Sequence, residues 1–338
     1  MHSIKKYIKL TIYAFLYFTK ILHLFIIVSR RFSSKYPATI LFYHRFTDNN
    51  SNELPPKLNV KTFEKQLKHL KKWYHLISLD ELVDHLKTGK DFLHPYVVIT
   101  IDDGFKDNYD FAFPVLKRLD IPVTIYLTTG FVGTDRAPWT EEIAYCLKGY
   151  SSKTFRFEQL FPGEVFNVSN TQRKTKLWET IYEKMLYLDH DVKEHLFAKL
   201  LDNLDGANTC RGRLMMDWDE VNEMSKNQIS FGAHTVTHPT LSRMFPDGAM
   251  FEISESKRHI EEKLGTSVLH FAIPNGKDDD FTAELREFCR SEGFDSVVTT
   301  NFGSVTRDSD PYSLPRVHPS ERLFVFAAEL ARLFIWGR

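Results

Sequence analysis

Cysteine is scarce in this chain, and the few cysteines form no pattern that would define a site. Three are present among 338 residues, Cys146, Cys210 and Cys289, and none has the spacing of a Cys-x-x-Cys pair or another metal-ligand set. An odd number of widely separated cysteines also gives no disulfide framework. The cysteines therefore do not decide the redox compartment, and the chemistry of the protein must be sought in other residue types.

The sequence also lacks an excess of charge of one sign. Lys plus Arg and Asp plus Glu each total 44, so no global field favours nucleic acid or an acidic polymer as a partner. Internal repeats and low-complexity tracts are absent as well. With 43% hydrophobic, 14% aromatic and 26% charged residues, the chain can bury a large core as one barrel-sized domain with additions.

Apolar strand candidates alternate with helical patterns along most of the chain. The strand candidates cover residues 39–43, 97–101, 122–127, 230–234, 269–273 and 296–299. The helical patterns lie near residues 62–73, 79–88, 111–119, 217–226, 249–264 and 281–292. Such alternation is typical of parallel strands wrapped by helices, so we expect an α/β fold. Because the polar residues described below follow strands, a barrel is favoured over an open sheet.

The pattern changes between Trp139 and about Met216, where helical, charge-rich runs flank a polar middle. We interpret residues 139–216 as a helical insertion on the barrel. Since it begins soon after the carboxyl end of a strand, it can cover the functional face and shape a substrate groove. A helical cap that only stabilises the barrel is the alternative, and the sequence does not separate the two.

Two adjacent carboxylates follow the most apolar strand candidate. Residues 97–101 predict a buried strand that delivers Asp102 and Asp103 to a turn, where Gly104 allows the chain to reverse without a Cβ clash. Neighbouring residues at a strand end point to opposite sides. One carboxylate can therefore bind a metal while the other acts as a general base.

Two histidines four residues apart follow a second strand candidate, residues 229–233. Pro239 disfavours helix at His238, so we predict that His234 and His238 lie where a strand passes into a loop. Two neutral imidazoles and one carboxylate suit a divalent metal such as zinc, with coordination left open for water or substrate. The two segments together predict a mononuclear metal site.

These segments resemble the polysaccharide deacetylases, carbohydrate esterase family 4, also called the NodB-homology domain. Residues 100–109, followed by residues 121–130, are similar to the first family motif, and residues 231–241 resemble the second in order and spacing. Supporting matches lie at residues 40–45, 271–276, 295–300 and 314–316. The resemblance spans about residues 38–320 in the family's order, within a predicted catalytic domain of residues 36–320, and it implies a distorted (β/α) barrel of about seven strands.

The resemblance also implies a role for each matched residue. In the family the first Asp of the pair is the catalytic base, so Asp102 would accept the proton. Asp103 would join His234 and His238 on a divalent metal, for which zinc is preferred and cobalt or another ion is the alternative. The family's general acid is a histidine of the last motif, and His318 is the match.

The third motif departs from the family pattern. Many members carry an arginine just before its proline to orient the base, but residues 269–273, which precede Pro274, contain none. Arg316 can supply that contact from a late strand, or another group can orient Asp102. We therefore assign Pro274 and Arg316 to substrate binding or orientation.

The last motif is also unusual in its spacing, since His318 follows Leu314-Pro-Arg-Val. His44, which comes after Tyr43 at the end of the first strand candidate, is a rival for the general acid. We assign Tyr43 and His44 to substrate binding or orientation and His318 to the role of general acid, with His44 as the alternative.

The first 35 residues carry a second signal. From Leu10 to Val28 the chain is largely apolar with basic flanks, and its length approximates a bilayer span. No small-residue cleavage site follows, so we expect a retained membrane anchor rather than a removed signal peptide. A helix lying in the plane of the interface is the alternative. The balanced basic flanks leave the orientation open.

Apolar residues recur at helical spacing in the C-terminal tail, residues 321–338, and predict an amphipathic helix. We expect this helix to pack on the barrel core. The alternative is that it rests on a membrane with Trp336 at the interface.

The sequence therefore predicts a membrane-associated, metal-dependent carbohydrate N-deacetylase that releases acetate from an amino sugar. The expected partner is an N-acetylated oligosaccharide, polysaccharide or lipid-linked glycan. Two alternatives remain open, a catalytically silent relative that only binds glycan and a metal-dependent O-acetyl esterase. The esterase would share every site residue named above.

Overall fold

In the part of the chain that the structure describes, seven parallel strands form a nearly closed barrel. The structure is a computed structural model, and it describes residues 2–22, 24, 28, 35–49, 53–204 and 212–336. The strands are β1 (Thr39–Tyr43), β2 (Phe46–Thr47), β3 (Leu58–Asn59), β4 (His75–Leu76), β5 (Tyr96–Ile101), β6 (Val123–Leu127), β7 (Thr154–Phe155), β8 (Phe166–Asn167), β9 (Ile229–Ala233), β10 (His270–Ala272), β11 (Ser296–Val298) and β12 (Arg316–Val317).

The barrel strands follow the order β11-β10-β9-β6-β5-β1-β12, and β4 pairs with β5 outside this path. Two hydrogen bonds bring β11 and the residues before β12 together, from Leu314 N to Val297 O (2.9 Å) and from Thr299 N to Leu314 O (2.8 Å). The predicted α/β barrel of about seven strands is thus confirmed.

Helices connect the strands and cover the barrel. They are α1 (His2–Phe18), α2 (Val60–Trp73), α3 (Leu79–Lys87), α4 (Phe113–Leu119), α5 (Trp139–Gly149), α6 (Thr171–Leu186), α7 (His190–Asn203), α8 (Trp218–Ser225), α9 (Pro246–Leu264), α10 (Ala283–Ser291) and α11 (Leu323–Trp336). A π-helix, Asn108–Ala112, leads into α4. Local sequence explains several helix ends. Ser78 and Glu81 form a capping box at the start of α3, and Gly265 ends α9 in the left-handed conformation.

The strand residues divide between two hydrophobic clusters, as the alternation of side chains along a strand requires. In β5, Val97, Ile99 and Ile101 pack with the surrounding helices. Val98 belongs instead to a cluster that also contains residues of α3. Both faces of β5 are therefore buried, which explains why its sequence is a continuous apolar run.

The segment interpreted as an insertion contains α5, the antiparallel hairpin β7–β8, α6 and α7, and the sequence analysis did not foresee the hairpin. These elements share a hydrophobic cluster of their own, which includes Ile143, Phe161 and Ile181. An ion pair between Glu141 of α5 and Arg45, which follows β1, links the segment to the barrel. Residues 205–211 of the predicted insertion lie outside the described residues.

The predicted N-terminal membrane anchor is wrong. Helix α1 has 17 residues and ends at Phe18, and none of the helices in the described ranges has the length and apolarity needed to cross a membrane. Tyr13 and Leu16 pack against the barrel core, and Lys9 forms an ion pair with Glu329 of α11 at 3.4 Å. One face of α1 thus packs on protein, whereas Ile8, Ile12, Phe15 and Phe18 on the same helix are exposed. Residues 23, 25–27 and 29–34 of the predicted span and its flank lie outside the described residues.

Helix α11 packs against α1 and α2, and Phe326, Leu330 and Leu333 are buried in the main core. The side chain of Trp336 lies outside the described residues. The tail therefore contributes its apolar face to the same core as the barrel strands.

Truncation of Phe326 should measure this contribution. Phe326 is 2% exposed, so we expect Phe326→Ala to lower the free energy of unfolding by about 3–5 kcal/mol, because it removes a buried ring and leaves a cavity. Phe245, which is 81% exposed, provides the matched control, and Phe245→Ala should change stability by less than about 0.5 kcal/mol. Urea unfolding of both variants makes the comparison, and equal effects would show that α11 is not part of the core.

Candidate active site

Polar side chains gather at the carboxyl ends of the barrel strands. Asp102 and Asp103 follow β5, His234 follows β9, His44 follows β1 and His318 lies just after β12. Because parallel strands of a barrel all end at one face, these residues come together and line a single cleft of about 630 Å³. The site residues predicted from the sequence thus lie in an open cleft at this face of the barrel.

Asp103, His234 and His238 bring one ligand atom each to the same point. Asp103 Oδ1 lies 3.4 Å from His234 Nε2 and 3.4 Å from His238 Nε2. Each residue offers one ligand atom, and these atoms all lie within 4.8 Å of one another. The ligand atoms of a tetrahedral zinc site with bonds of about 2.0–2.1 Å are separated by about 3.3–3.4 Å, so the observed spacing fits such an ion.

Hydrogen bonding and burial favour states of these three residues in which the ligand atoms have lone pairs available for a metal. His234 Nδ1 lies 2.7 Å from the carbonyl oxygen of Ala272, which can only accept, so in the neutral ring Nδ1 donates and Nε2 keeps its lone pair. Burial lowers the pKa of His238 to about 4, which keeps the imidazole neutral near pH 7. Among the described residues, no donor forms a hydrogen bond to the buried Asp103 Oδ1. The three residues therefore fit a divalent metal.

The backbone at Asp103 has an uncommon conformation. Asp103 has φ of 75° and Gly104 has φ of 81°, both in the left-handed region. The left-handed conformation at position 104 favours glycine, and a Cβ atom there would lie 2.6 Å from Leu127 Cδ2, so the Leu127 side chain would have to move. Strained residues of this kind cluster at functional sites, where surrounding contacts hold them.

Glu252 of α9 holds the loop between the two histidines, and the sequence analysis missed it. Its Oε2 accepts hydrogen bonds from the backbone N–H groups of Val236 (2.7 Å) and Thr237 (2.8 Å), and its Oε1 accepts one from Thr237 Oγ1 (2.7 Å). A buried carboxylate thus fixes the residues between His234 and His238. No local sequence motif predicts this contact, because Glu252 lies on the helix that follows the loop.

Asp102 forms a buried, bidentate ion pair with Arg316. Both guanidinium nitrogens donate at 2.7 Å, Nη1 to Oδ1 and Nη2 to Oδ2, while Arg316 Nε donates to the carbonyl of Thr299 at 2.8 Å. Asp102 is 2% exposed and Arg316 is fully buried. Burial alone would raise the pKa of Asp102, but Arg316 holds this pKa below its ordinary value. Asp102 is therefore ionised, and its orientation is fixed by β12 rather than by the third motif.

His44 and His318 both line the cleft but differ in their neighbours. His44 Nε2 lies 3.8 Å from Asp102 Oδ2. The rings of His44 and His318 both pack edge-on against Phe42, at centroid distances of 5.6 Å and 5.3 Å, and His318 is exposed. His44 is thus the nearer of the two to the buried carboxylate.

Tyr43 and Pro274, unlike the other predicted site residues, do not offer a polar group to the cleft. Tyr43 lines the cleft but is 3% exposed, and its hydroxyl donates to Gln66 Oε1 at 3.1 Å. Pro274 does not line the cleft, whereas the neighbouring Ile273 and Asn275 do. The hydroxyl of Tyr43 is therefore engaged in the core, and the segment around Pro274 faces the cleft through its neighbours.

Comparison with known proteins places this arrangement in a family. The sequence profile of the polysaccharide deacetylases matches residues 89–295, which is more than half of the chain. The chain belongs to the polysaccharide deacetylase family. This confirms the resemblance drawn from the motifs.

Individual relatives of this polysaccharide deacetylase family member agree over most of the chain. YxkH of Bacillus subtilis (strain 168) is 23% identical over 282 residues, 83% of this chain and 71% of that protein. The Streptococcus pyogenes deacetylase PplD in complex with acetate superposes with a TM-score of 0.57 at 20% identity, covering 85% of this chain and 94% of PplD. IcaB from Ammonifex degensii superposes with a TM-score of 0.57 at 19% identity, covering 88% of this chain and 97% of IcaB. The structural likenesses support the shared fold.

The family's first motif also fixes the loop that carries His44. Asp107 Oδ1 accepts a hydrogen bond from Phe46 N at 3.1 Å, and Asn108 Nδ2 donates to the carbonyl of His44 at 2.7 Å. Asp107 Oδ2 accepts from Arg45 Nε at 2.7 Å. Asp107 and Asn108 are visible in the motif, but their role depends on hydrogen bonds to residues 44–46, which follow β1, and sequence spacing does not reveal these contacts.

A Ser–His–Asp arrangement at the opposite end of the barrel is structural. His270 lies 2.9 Å from Ser296 Oγ and 3.0 Å from Asp80 Oδ1, at the first residues of β10 and β11. Ser296 is fully buried, so no substrate can reach its hydroxyl. Its position at the amino-terminal face of the barrel agrees with a role in stability.

The ion pair between Asp102 and Arg316 should be essential for stability. Arg316→Met leaves a buried carboxylate without its partner, so we expect the free energy of unfolding at pH 7 to fall by about 3–5 kcal/mol. This deficit should shrink on acidification, because the unpaired Asp102 then takes up a proton while the wild type loses the benefit of its lowered pKa. Urea unfolding across pH measures both effects.

The double variant Asp102→Asn, Arg316→Met is the control for this prediction. It removes both charges, and we expect it to be more stable than Arg316→Met alone. A pH-independent deficit, or a double variant with the sum of both single losses, would contradict the account of Asp102 as an ionised partner.

The hydrogen bonds of Glu252 should tune the affinity for metal. We expect Glu252→Ala to weaken zinc binding about 10- to 100-fold, because the loop that carries His238 loses its support. Glu262 lies on the same helix with its side chain 59% exposed, and Glu262→Ala should bind zinc as the wild type does. Calorimetric titration with zinc measures all three proteins. Equal affinities for the wild type and Glu252→Ala would remove Glu252 from the site.

Proposed function

We propose that this protein is a metal-dependent carbohydrate N-deacetylase, which hydrolyses the N-acetyl group of an amino sugar in a polysaccharide or lipid-linked glycan and releases acetate. One observation carries the proposal: an ionised, buried Asp102 adjoins a carboxylate and two imidazoles whose ligand atoms converge in one open cleft. Membership of the polysaccharide deacetylase family supports the same chemistry.

Asp103, His234 and His238 are the residues that would hold the metal. A divalent ion at that point supplies Lewis-acid chemistry, since it acidifies water and polarises the acyl carbonyl. Zinc is the preferred ion because its usual ligands are imidazole nitrogen and carboxylate oxygen, and cobalt is the alternative. The chain itself contributes the fixed tautomer of His234 and the neutral state of His238.

Asp102 is the proposed general base. Arg316 keeps it ionised and holds both carboxylate oxygens in one orientation, so a second lone pair on either oxygen can take the proton of the attacking water. The adjacent Asp103 forms no ion pair with Arg316 and is the carboxylate that would bind the metal. The two neighbouring carboxylates thus have different roles because they have different partners.

His44 is the better supported donor of the proton that the departing amine needs. The rings of His44 and His318 both pack edge-on against Phe42, and His44 in addition brings its Nε2 within 3.8 Å of Asp102 Oδ2. A histidine is suited to this role because its ordinary pKa lies near neutrality. His318 lines the same cleft and is the second candidate.

The alternatives draw on the same cleft. A metal-dependent O-acetyl esterase would use the same base and ligands, and it differs only in the atom that leaves. A silent glycan-binding relative would have no use for Asp102, since burying an ionised carboxylate is costly and here requires a dedicated arginine. The Asp102–Arg316 pair therefore favours an enzyme over a binding protein.

Acetate release is the direct test of the proposed function. We expect the purified protein to release acetate from N-acetylated oligosaccharides, to lose this activity on chelation and to regain it with zinc or cobalt. Asp102→Asn should keep its metal but lose turnover by about 10² or more, and Asp103→Ala should lose both. Asp308→Asn, at an exposed side chain, is the control and should behave as the wild type. Undiminished turnover by Asp102→Asn, or stoichiometric metal in Asp103→Ala, would contradict the mechanism.

A second pair of variants assigns the general acid. We expect His44→Ala to slow hydrolysis of an N-acetyl substrate by about 10² or more and to affect 4-nitrophenyl acetate less, because nitrophenolate leaves without protonation. His318→Ala should cause a smaller loss on the amide. The reverse pattern would assign the acid to His318, and equal losses on both substrates would show that neither histidine acts on the leaving group.

A further inference from the structure

Two aromatic side chains of α6 line the same cleft as the proposed metal ligands. Trp178 and Tyr182 belong to the segment interpreted as an insertion, and both are half-buried. They lie four residues apart, so they share one face of the helix. Neither Trp178 nor Tyr182 is a proposed metal ligand or takes part in the proposed proton transfers, so the mechanism does not explain why they line the cleft.

The two rings belong to a stack of nearly parallel aromatics. The Trp178 and Tyr182 rings have centroids 5.9 Å apart and an interplanar angle of 19°. Tyr182 in turn stacks on Trp139 of α5 at 5.7 Å and 9°. Trp139 is 8% exposed and belongs to the core of the insertion, so it anchors the stack, while its two partners reach the cleft.

Hydrogen bonds fix the two cleft-lining rings at their polar atoms. Trp178 Nε1 donates to the carbonyl oxygen of Thr140 at 2.9 Å. The Tyr182 hydroxyl donates to Asn275 Oδ1 at 3.4 Å, which links the insertion to the loop after β10. Rings held in this way lose little conformational entropy when a ligand binds, so they form a preorganised surface.

A sugar ring is the ligand that suits such a surface. The C–H face of a pyranose is apolar and can lie flat on an aromatic ring, while its hydroxyl groups point outward to polar partners. Thr140, Asn275 and Lys277 are polar residues that line the same cleft. The cleft volume of about 630 Å³ is within the range of pockets that enclose a drug-sized ligand.

We propose that Trp178, which ends the stack and is supported by Tyr182, forms a stacking subsite for a second pyranose ring, adjacent to the ring that loses its acetyl group. The consequence is a preference for oligomers over free monosaccharides. That the ligand is a sugar rests on the proposed function. The subsite can nevertheless be tested separately, because it predicts an effect on oligosaccharide binding as well as on turnover.

The test compares monomers and tetramers of N-acetylglucosamine, with β-1,4 and β-1,6 tetramers both included. The wild type should have a higher kcat/KM for at least one tetramer than for the monomer. In Trp178→Ala the ratio of tetramer to monomer kcat/KM should fall about tenfold, mainly through KM, and Trp178→Phe should retain most of it. Tyr187→Ala, at an exposed ring on the same segment, is the matched control and should leave the ratio unchanged.

Calorimetric binding of the same tetramers separates this proposal from the proposed function. Tetramer binding that Trp178→Ala weakens about tenfold supports the subsite even if the protein releases no acetate, and that result would contradict only the deacetylase assignment. The subsite is overturned if no tetramer is preferred over the monomer in binding or turnover. It is also overturned if Trp178→Ala affects the two substrates equally.

Discussion

The buried ion pair between Asp102 and Arg316 is the constraint on which the rest of the site depends. The two residues are 214 positions apart in sequence, and the pair joins the end of β5 to β12 inside the barrel. Arg316 also donates to the carbonyl of Thr299, so the same side chain reaches the end of β11. Neither charge could remain in this interior without the other. The nearly closed barrel and the ionised state of Asp102 therefore support each other.

The pair also explains how two adjacent carboxylates acquire different chemistry. Asp102 faces a guanidinium that occupies both its oxygens, whereas Asp103, in the left-handed turn before Gly104, faces two imidazoles. The change of direction follows from the backbone, because neighbouring side chains at a strand end diverge. In the proposed mechanism one carboxylate stays available for a proton and the other for a metal. Glu252 and the Asp107–Asn108 pair then hold the loops that complete the site.

Sequence reasoning predicted the features that depend on local pattern. The strands, the Asp pair and the His pair follow from apolar runs and the polar residues that end them. The partner of Asp102 and the role of Glu252 depend on the register between distant elements, which local pattern does not specify. The aromatic stack was missed because Trp178 reads as part of a charged helix. The N-terminal anchor was wrong because an apolar segment has the same hydropathy whether it packs on protein, as Leu16 does, or on lipid.

Anomalous diffraction from zinc-loaded crystals tests the central claim most directly. The account predicts one strong peak per chain at the zinc absorption edge, at a point within about 2.0–2.2 Å of Asp103 Oδ1, His234 Nε2 and His238 Nε2. It also predicts that Asp102 keeps its bidentate contact with Arg316 and does not bind the ion. A peak at another position, or a zinc ion ligated by Asp102 in place of Asp103, would contradict the division of roles between the two carboxylates.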